Sequence, residues 1–271
     1  MKRHKFSYTV EQLLPFIDWS YFFHAWGIAP RESKSEKARE VQHDAEALLH
    51  EHSDAVAATA LFALCDARSC GDDILIEGTT LPLLRQQHAR AGEPNLCLND
   101  FISPRGDKIG LFATAVSPLF GAKESDDTYR SLLTQTIASR LAEAAATLLH
   151  RDVRRNAALW GYAPDENLTP SELNAEKYCG IRPAVGYPSL PDQSVIFIID
   201  KLLGLCEAGI SLTPNGAMIP HASVCGLMLA HPAARYFAVG KISKEQLHDY
   251  AQRRALPLED LHRFLYKNIQ I

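Results

Sequence analysis

The spacing of apolar and polar positions changes along this chain, and each change marks an element. Between residues 34 and 52, rich in Glu, Lys, Ala and His, the positions Val41, Ala45, Leu48 and Leu49 recur at helical spacing. A longer helix is predicted from near Asp126 to about Asn156. Its apolar stripe is Leu133, Ile137, Leu141, Ala144 and Leu148, and Thr136, Arg140, Glu143 and Thr147 form a more polar face. "ATALFALCDA" and "DDILIEG" predict strands around a turn at "RSCG". "LCLNDFISP" and "DKIGLFATAV" predict further strands, and "LRQQHARAG" a short helix ending at Gly92. "TPSELNAEKY" begins a short helix with Thr169 as N-cap ahead of Pro170, and another helix is predicted from about Pro191 to Ala208. "ASVCGLMLAHP" and "ARYFAVG", parted by little more than His231, Pro232 and Ala233, predict an antiparallel hairpin. The tail predicts two short helices, the first opened by Ser243 and Gln246 as a capping box.

Strands and helices mix without a regular βαβ alternation, which predicts an α+β fold with a largely antiparallel sheet. The chain has 271 residues, 46% of them hydrophobic, enough for a well-buried core. There is no internal repeat, and the most polar stretch, 29–38, lies near the N-terminus, so one domain over 1–271 is expected. Net charge is −4 with no basic stripe, which argues against nucleic acid. The longest mostly apolar window, "SVIFIIDKLLGLCEAGI", is broken by Asp200, Lys201 and Glu207, which argues against a membrane span. The basic N-terminus lacks the apolar core of a signal peptide. The six cysteines form no CxxC pair and no zinc spacing, as expected in a reducing cytoplasm.

The usual catalytic signatures are missing: no GxGxxG, Walker loop, GxSxG or HExxH occurs. His221 and His231 read first as turn histidines. The aromatic segment "LLPFIDWSYFFHAWGI" (13–28) reads either as core or as a binding surface. One loop stands out. "YCGIRPAVGYPSLPDQ", residues 178–193, sets a single arginine among prolines and glycines, so its shape is fixed in advance. It reads either as an ordinary connection or as a clamp for an anionic group.

"FIDWSYFF", "WGYAPDENL", "YCGIRPAVGYPSLPD", "AMIPHASVCGLMLAHP" and "YFAVGKI" occur in this order. Together they resemble the activation (S-adenosylmethionine-binding) domain of cobalamin-dependent methionine synthase, over about residues 7–265, with RxxxGYP the most specific element. The resemblance implies a C-shaped single α+β domain whose twisted antiparallel sheet is flanked by helices. It also implies binding of S-adenosylmethionine and reductive remethylation of inactive Co(II) cobalamin. Aligning the two reactants then replaces acid–base chemistry, so no catalytic side chain and no metal site is expected.

By the same resemblance, Arg182 bonds the methionyl carboxylate, and Ala184, Val185 and Gly186 border the ligand. Tyr187 faces the corrin, and Tyr236 contacts S-adenosylmethionine. Asp18 and Glu143 are its ligand-contacting acids. Each has a plainer reading: a surface arginine, a turn glycine, turn and strand tyrosines, an N-cap at Asp18, a helix-surface pair of Glu143 with Arg140. The chain departs from the family at Gln193, where a histidine is common, at Ser139, where an acid is common, and at "TAVSP" after the "GLFA" strand. No DxHxxG cobalamin motif and no flavin or iron–sulfur signature occurs. A free-standing subunit is therefore expected, acting on a separate cobalamin-binding module with a flavodoxin-like electron donor. The alternative is a non-catalytic module that binds S-adenosylmethionine or docks a corrinoid protein.

Overall fold

The computed structural model describes residues 1–53, 55–117 and 127–269. The chain opens with strand β1 (Lys2–Thr9), the short helix α1 (Val10–Leu13), α2 (Trp19–Ala25) and α3 (Glu36–His50). Strands β2 (Val56–Cys70), β3 (Asp73–Ile76), β4 (Thr79–Pro82) and β5 (Asp107–Val116) follow, then the long helix α4 (Thr128–Arg155). After α5 (Pro170–Asn174) and α6 (Ile196–Leu203) come β6 (Ser211–Leu212), β7 (Met218–Ile219) and β8 (Ser223–Met228). Helices α7 (Lys244–Arg254) and α8 (Leu258–Leu265) close the chain.

The main sheet is antiparallel and runs β4-β3-β2-β5-β8, with β1 paired to the first half of β2. It curls into a half-barrel with flanking helices, so the expected α+β antiparallel architecture is present. Both faces of the sheet are buried. Ala58, Ala60 and Phe62 of β2 pack on one side with Phe112, the α4 stripe and the aromatic segment. The alternate residues Leu61, Ala63 and Cys65 pack on the other side with Leu111, Ala113 and α6. Burial on both faces explains why β2 and β5 read as unbroken apolar runs although side chains alternate. The predicted stripe of α4 is the buried one. Much of the aromatic segment proves to be core: Phe16, Phe22 and Phe23 are buried, while Tyr21 is 65% exposed.

Capping behaves largely as the sequence predicts. Thr169 and Glu172 form a reciprocal capping box at α5. Asp127 caps α4; Asp126 and Pro118 lie outside the described residues. Ser243 caps α7, but the Gln246 side chain donates to the Arg85 carbonyl instead of completing the box.

Several expected elements are absent, and tertiary hydrogen bonds explain why. Residues 85–92 form no helix, because Gln86 bonds the Ala238 carbonyl and the Leu96 N–H, and Asn95 takes the Ala89 N–H. "LCLNDFISP" is a 3₁₀ turn rather than a strand, because Asp100 folds back onto the Cys97 N–H and pairs with Arg85. "ARYFAVG" is no strand and makes no hairpin with β8. Phe237 exchanges bonds with Ser189, and the Val239 N–H donates to Pro188, so the segment lines the 178–193 loop instead. β1 was not foreseen, since only its far end, at Tyr8, is buried.

That loop completes the sheet. Ile181 and Leu229 exchange both backbone bonds, Leu227 donates to Pro183, and Val185 donates to Cys225. Residues 181–185 therefore run along the outer edge of β8. Gly226 permits this, because any Cβ there would collide with the Pro183 carbonyl and the Ala184 backbone.

Candidate functional site

The edge loop, the polar face of α4 and the aromatic segment enclose a cavity of about 700 Å³. Arg182, Glu143, Thr147, Glu176, Tyr236 and Asp18 are among its lining residues. Arg140, Glu143 and Thr147 sit three and four residues apart, so one face of α4 delivers all of them to it.

Arg182 is the centre. Its Nη2 donates to Thr147 Oγ1 at 2.9 Å, its Nη1 faces Glu143 Oε2 at 3.4 Å, and its buried Nε has no partner. Burial works against its charge, but Tyr178, Glu143 and Tyr236 outweigh that and keep it protonated. Its backbone N–H donates to Tyr236 Oη at 3.0 Å. The arginine is thus held from both ends, with its Nε left without a protein partner.

Glu143 also accepts from Tyr187 Oη at 2.7 Å. Burial, and then Glu143, push the Tyr187 phenol up, so it stays protonated. The residue is nonetheless 52% exposed. Behind it lies a second cavity of about 220 Å³, reaching Met218 and His221. Arg140, Glu143, Ala184 and Tyr187 line both cavities and form the wall between them.

Asp18 Oδ1 caps α2 through the Ser20 N–H at 2.8 Å, and the residue also lines the larger cavity. Gly186 lies beside the cavities without lining them. Its φ of +85° and its N–H bond to Leu190 make it the pivot of the turn. Gln193 packs its Oε1 against Gly186 and donates from Nε2 to the Gly216 carbonyl at 2.8 Å, locking that turn to the neighbouring loop. Ser139 lines the smaller cavity, where its hydroxyl bonds back to the Gln135 carbonyl.

Some site residues escaped the sequence. Thr147 was legible as one helical turn beyond Glu143. Glu176 was not: it sits at φ 55° just after α5, a backbone state that only the fold imposes. Partial burial raises its carboxyl above the usual value, and Arg182 partly offsets this. Among the described residues, no His, Cys, Asp or Glu cluster could hold a metal, and no helix is long and apolar enough to cross a membrane.

Fold and site together define an α+β half-barrel domain with a cavity in which Arg140 and Arg182 stand among the carboxylates of Asp18, Glu143 and Glu176. Residues 9–255 match the family described as vitamin B12 dependent methionine synthase, activation domain, and the chain belongs to it. Among solved structures, the crystal structure of the MetH reactivation domain bound to AdoHcy is similar at a TM-score of 0.92 and 35% sequence identity. The match covers 100% of this chain and 91% of that one.

Proposed function

We propose that the larger cavity binds S-adenosylmethionine and presents its methyl group, past Tyr187, to cobalamin carried by a methionine synthase cobalamin-binding module. The observation that carries this reading is the Arg182 guanidinium, kept charged and held by Thr147 and Glu143 in the wall of a cavity of about 700 Å³. The binding of AdoHcy by the similar reactivation domain supports it.

Arg182 takes the ligand carboxylate, with Thr147 and Glu143 holding the plane of its guanidinium. Glu176 and Asp18 offer negative charge to the ligand's ammonium and sulfonium. Tyr187, tethered through Glu143, stands at the exposed threshold where a partner's corrin must approach. Cobalamin, when bound by its own module, supplies the cobalt nucleophile, and a flavodoxin-like protein supplies the single electron that Co(II) needs. The methyl group leaves sulfur, whose bonding pair stays on S-adenosylhomocysteine, so no proton moves and no general acid or base is required. The chain contributes orientation, which is worth about 7–11 kcal/mol in favourable cases.

The test mixes this protein, S-adenosylmethionine, a reductant and a cobalamin-loaded methionine synthase lacking its own activation domain. The expected result is a spectral change from Co(II) to methylcobalamin with equimolar S-adenosylhomocysteine. Ligand binding without methyl transfer would favour the docking-module alternative, and no ligand binding would sink both.

A further inference from the structure

From the wall of the larger cavity, which Tyr178 and Tyr236 both line, a buried polar chain runs back to the end of α4. Arg154, near the end of α4, is fully buried, and its Nε donates to Glu166 Oε2 at 2.6 Å. Glu166 Oε1 in turn accepts the Cys179 N–H at 3.0 Å, at the start of the edge loop. The Arg154 guanidinium lies 4.7 Å from the centre of the Tyr178 ring. The His150 ring meets the same tyrosine edge-on at 4.9 Å. Tyr178 and Tyr236 hydroxyls bond each other at 2.8 Å, and Tyr236 Oη accepts the Arg182 N–H.

A buried ion pair rarely gains stability over apolar residues of the same volume. This one packs against the Tyr178 ring, whose hydroxyl bonds Tyr236, the residue that accepts the Arg182 N–H. We infer that Tyr178 is a positioning residue: held by Arg154, which Glu166 anchors, its hydroxyl fixes Tyr236, and Tyr236 fixes the main chain of Arg182. The chain would then tune recognition of the aminocarboxyl end of the ligand and leave the adenosine end untouched. This rests on the reading of the cavity as an S-adenosyl site.

Tyr162 supplies the control, because its hydroxyl also lies in this cluster but bonds His150 Nε2 at 2.8 Å, and His150 meets Tyr178 only through a ring contact, so no hydrogen bond links it to Tyr236 or Arg182. Calorimetry compares S-adenosylhomocysteine with 5′-methylthioadenosine, which lacks the aminocarboxyl group, the latter by competition where it is weak. Losing one buried hydrogen bond of this kind predicts an affinity for S-adenosylhomocysteine about fivefold lower in Tyr178→Phe. Methylthioadenosine should bind within about twofold of wild type, and Tyr162→Phe should change neither ligand by more than about twofold, because no hydrogen bond to the clamp is lost in either case. In a Tyr236→Phe background, Tyr178→Phe should cost nothing further. Tyr236→Phe alone must show the same selectivity, which keeps the test open if Tyr178→Phe does not fold.

Equal weakening of both ligands, unchanged S-adenosylhomocysteine binding, or the same selective loss in Tyr162→Phe would each overturn the inference. Failure of the wild type to bind either ligand overturns the cavity assignment as well. Normal wild-type binding with an inert Tyr178→Phe overturns the positioning role alone.

Discussion

Replacing Arg182 with alanine removes the donor set on which the proposed site depends. The variant loses a charge-assisted bond to the ligand carboxylate, worth about 1.5–3 kcal/mol, and more if the contact is bidentate. It also leaves Glu143, which lay 3.4 Å from the guanidinium, facing the incoming carboxylate without the intervening cation. Taking both effects as about 2–4 kcal/mol, affinity for S-adenosylhomocysteine should fall roughly 30- to 1000-fold. Titration calorimetry reads this, with a circular dichroism melt to show that the fold persists. Arg253→Ala is the matched control. Arg253 pairs with Asp73 and Asp249 and bonds the Leu83 carbonyl, away from the cavity, so its loss should lower the melting temperature and leave affinity unchanged. A folded Arg182→Ala protein that binds within about threefold of wild type would refute the clamp, because no charged bond could then have been lost.

Three further outcomes follow from the same geometry. Glu176→Gln should weaken S-adenosylmethionine binding, yet raise the melting temperature slightly at pH 7. Burial raises this carboxyl, so the folded state binds the proton more tightly than the unfolded one and loses stability as pH rises from the unfolded value through the raised one. The stabilisation by Gln should therefore vanish in melts run below the ordinary glutamate range, and a benefit that persists there would contradict the assignment. Tyr187→Phe removes the 2.7 Å bond to Glu143 but leaves Arg182 in place. It should keep ligand affinity within about threefold, the scale of one exposed hydrogen bond, and slow methyl transfer to the cobalamin module in the spectral assay. Gly226→Ala should cost about 1–3 kcal/mol in denaturant unfolding and weaken ligand binding too, since the new methyl pushes the 181–185 segment off β8; a neutral result would refute the close approach described.

The features legible from the sequence share one property: their cause is local. The α4 stripe was visible because Leu133, Ile137, Leu141 and Leu148 repeat at the helical period and the helix has one core to face. Thr169 and Pro170 announced the start of α5 because an N-cap and a proline at the first helical position act on their immediate neighbours. Where the sequence misled, a distant partner had claimed the backbone. "ARYFAVG" has strand composition, but Ser189 and Pro188 take its hydrogen bonds. Gln86 and Asn95 likewise tie a helix-like segment into a loop.

The site divides in the same way. By itself the sequence determined the residue types and the stiffness of the 178–193 loop, since proline and glycine restrict or free the chain wherever they stand. Through the family resemblance it also marked out Arg182, Glu143, Tyr187 and Tyr236. Only the tertiary structure decided that the loop docks on β8, that Gln193 braces Gly186, and that Glu176 joins the cavity. It alone decided that Arg182 is gripped from behind by Tyr236. These depend on groups 23 to 54 residues apart meeting at hydrogen-bond distance, and such meetings come from tertiary packing, which no local period records.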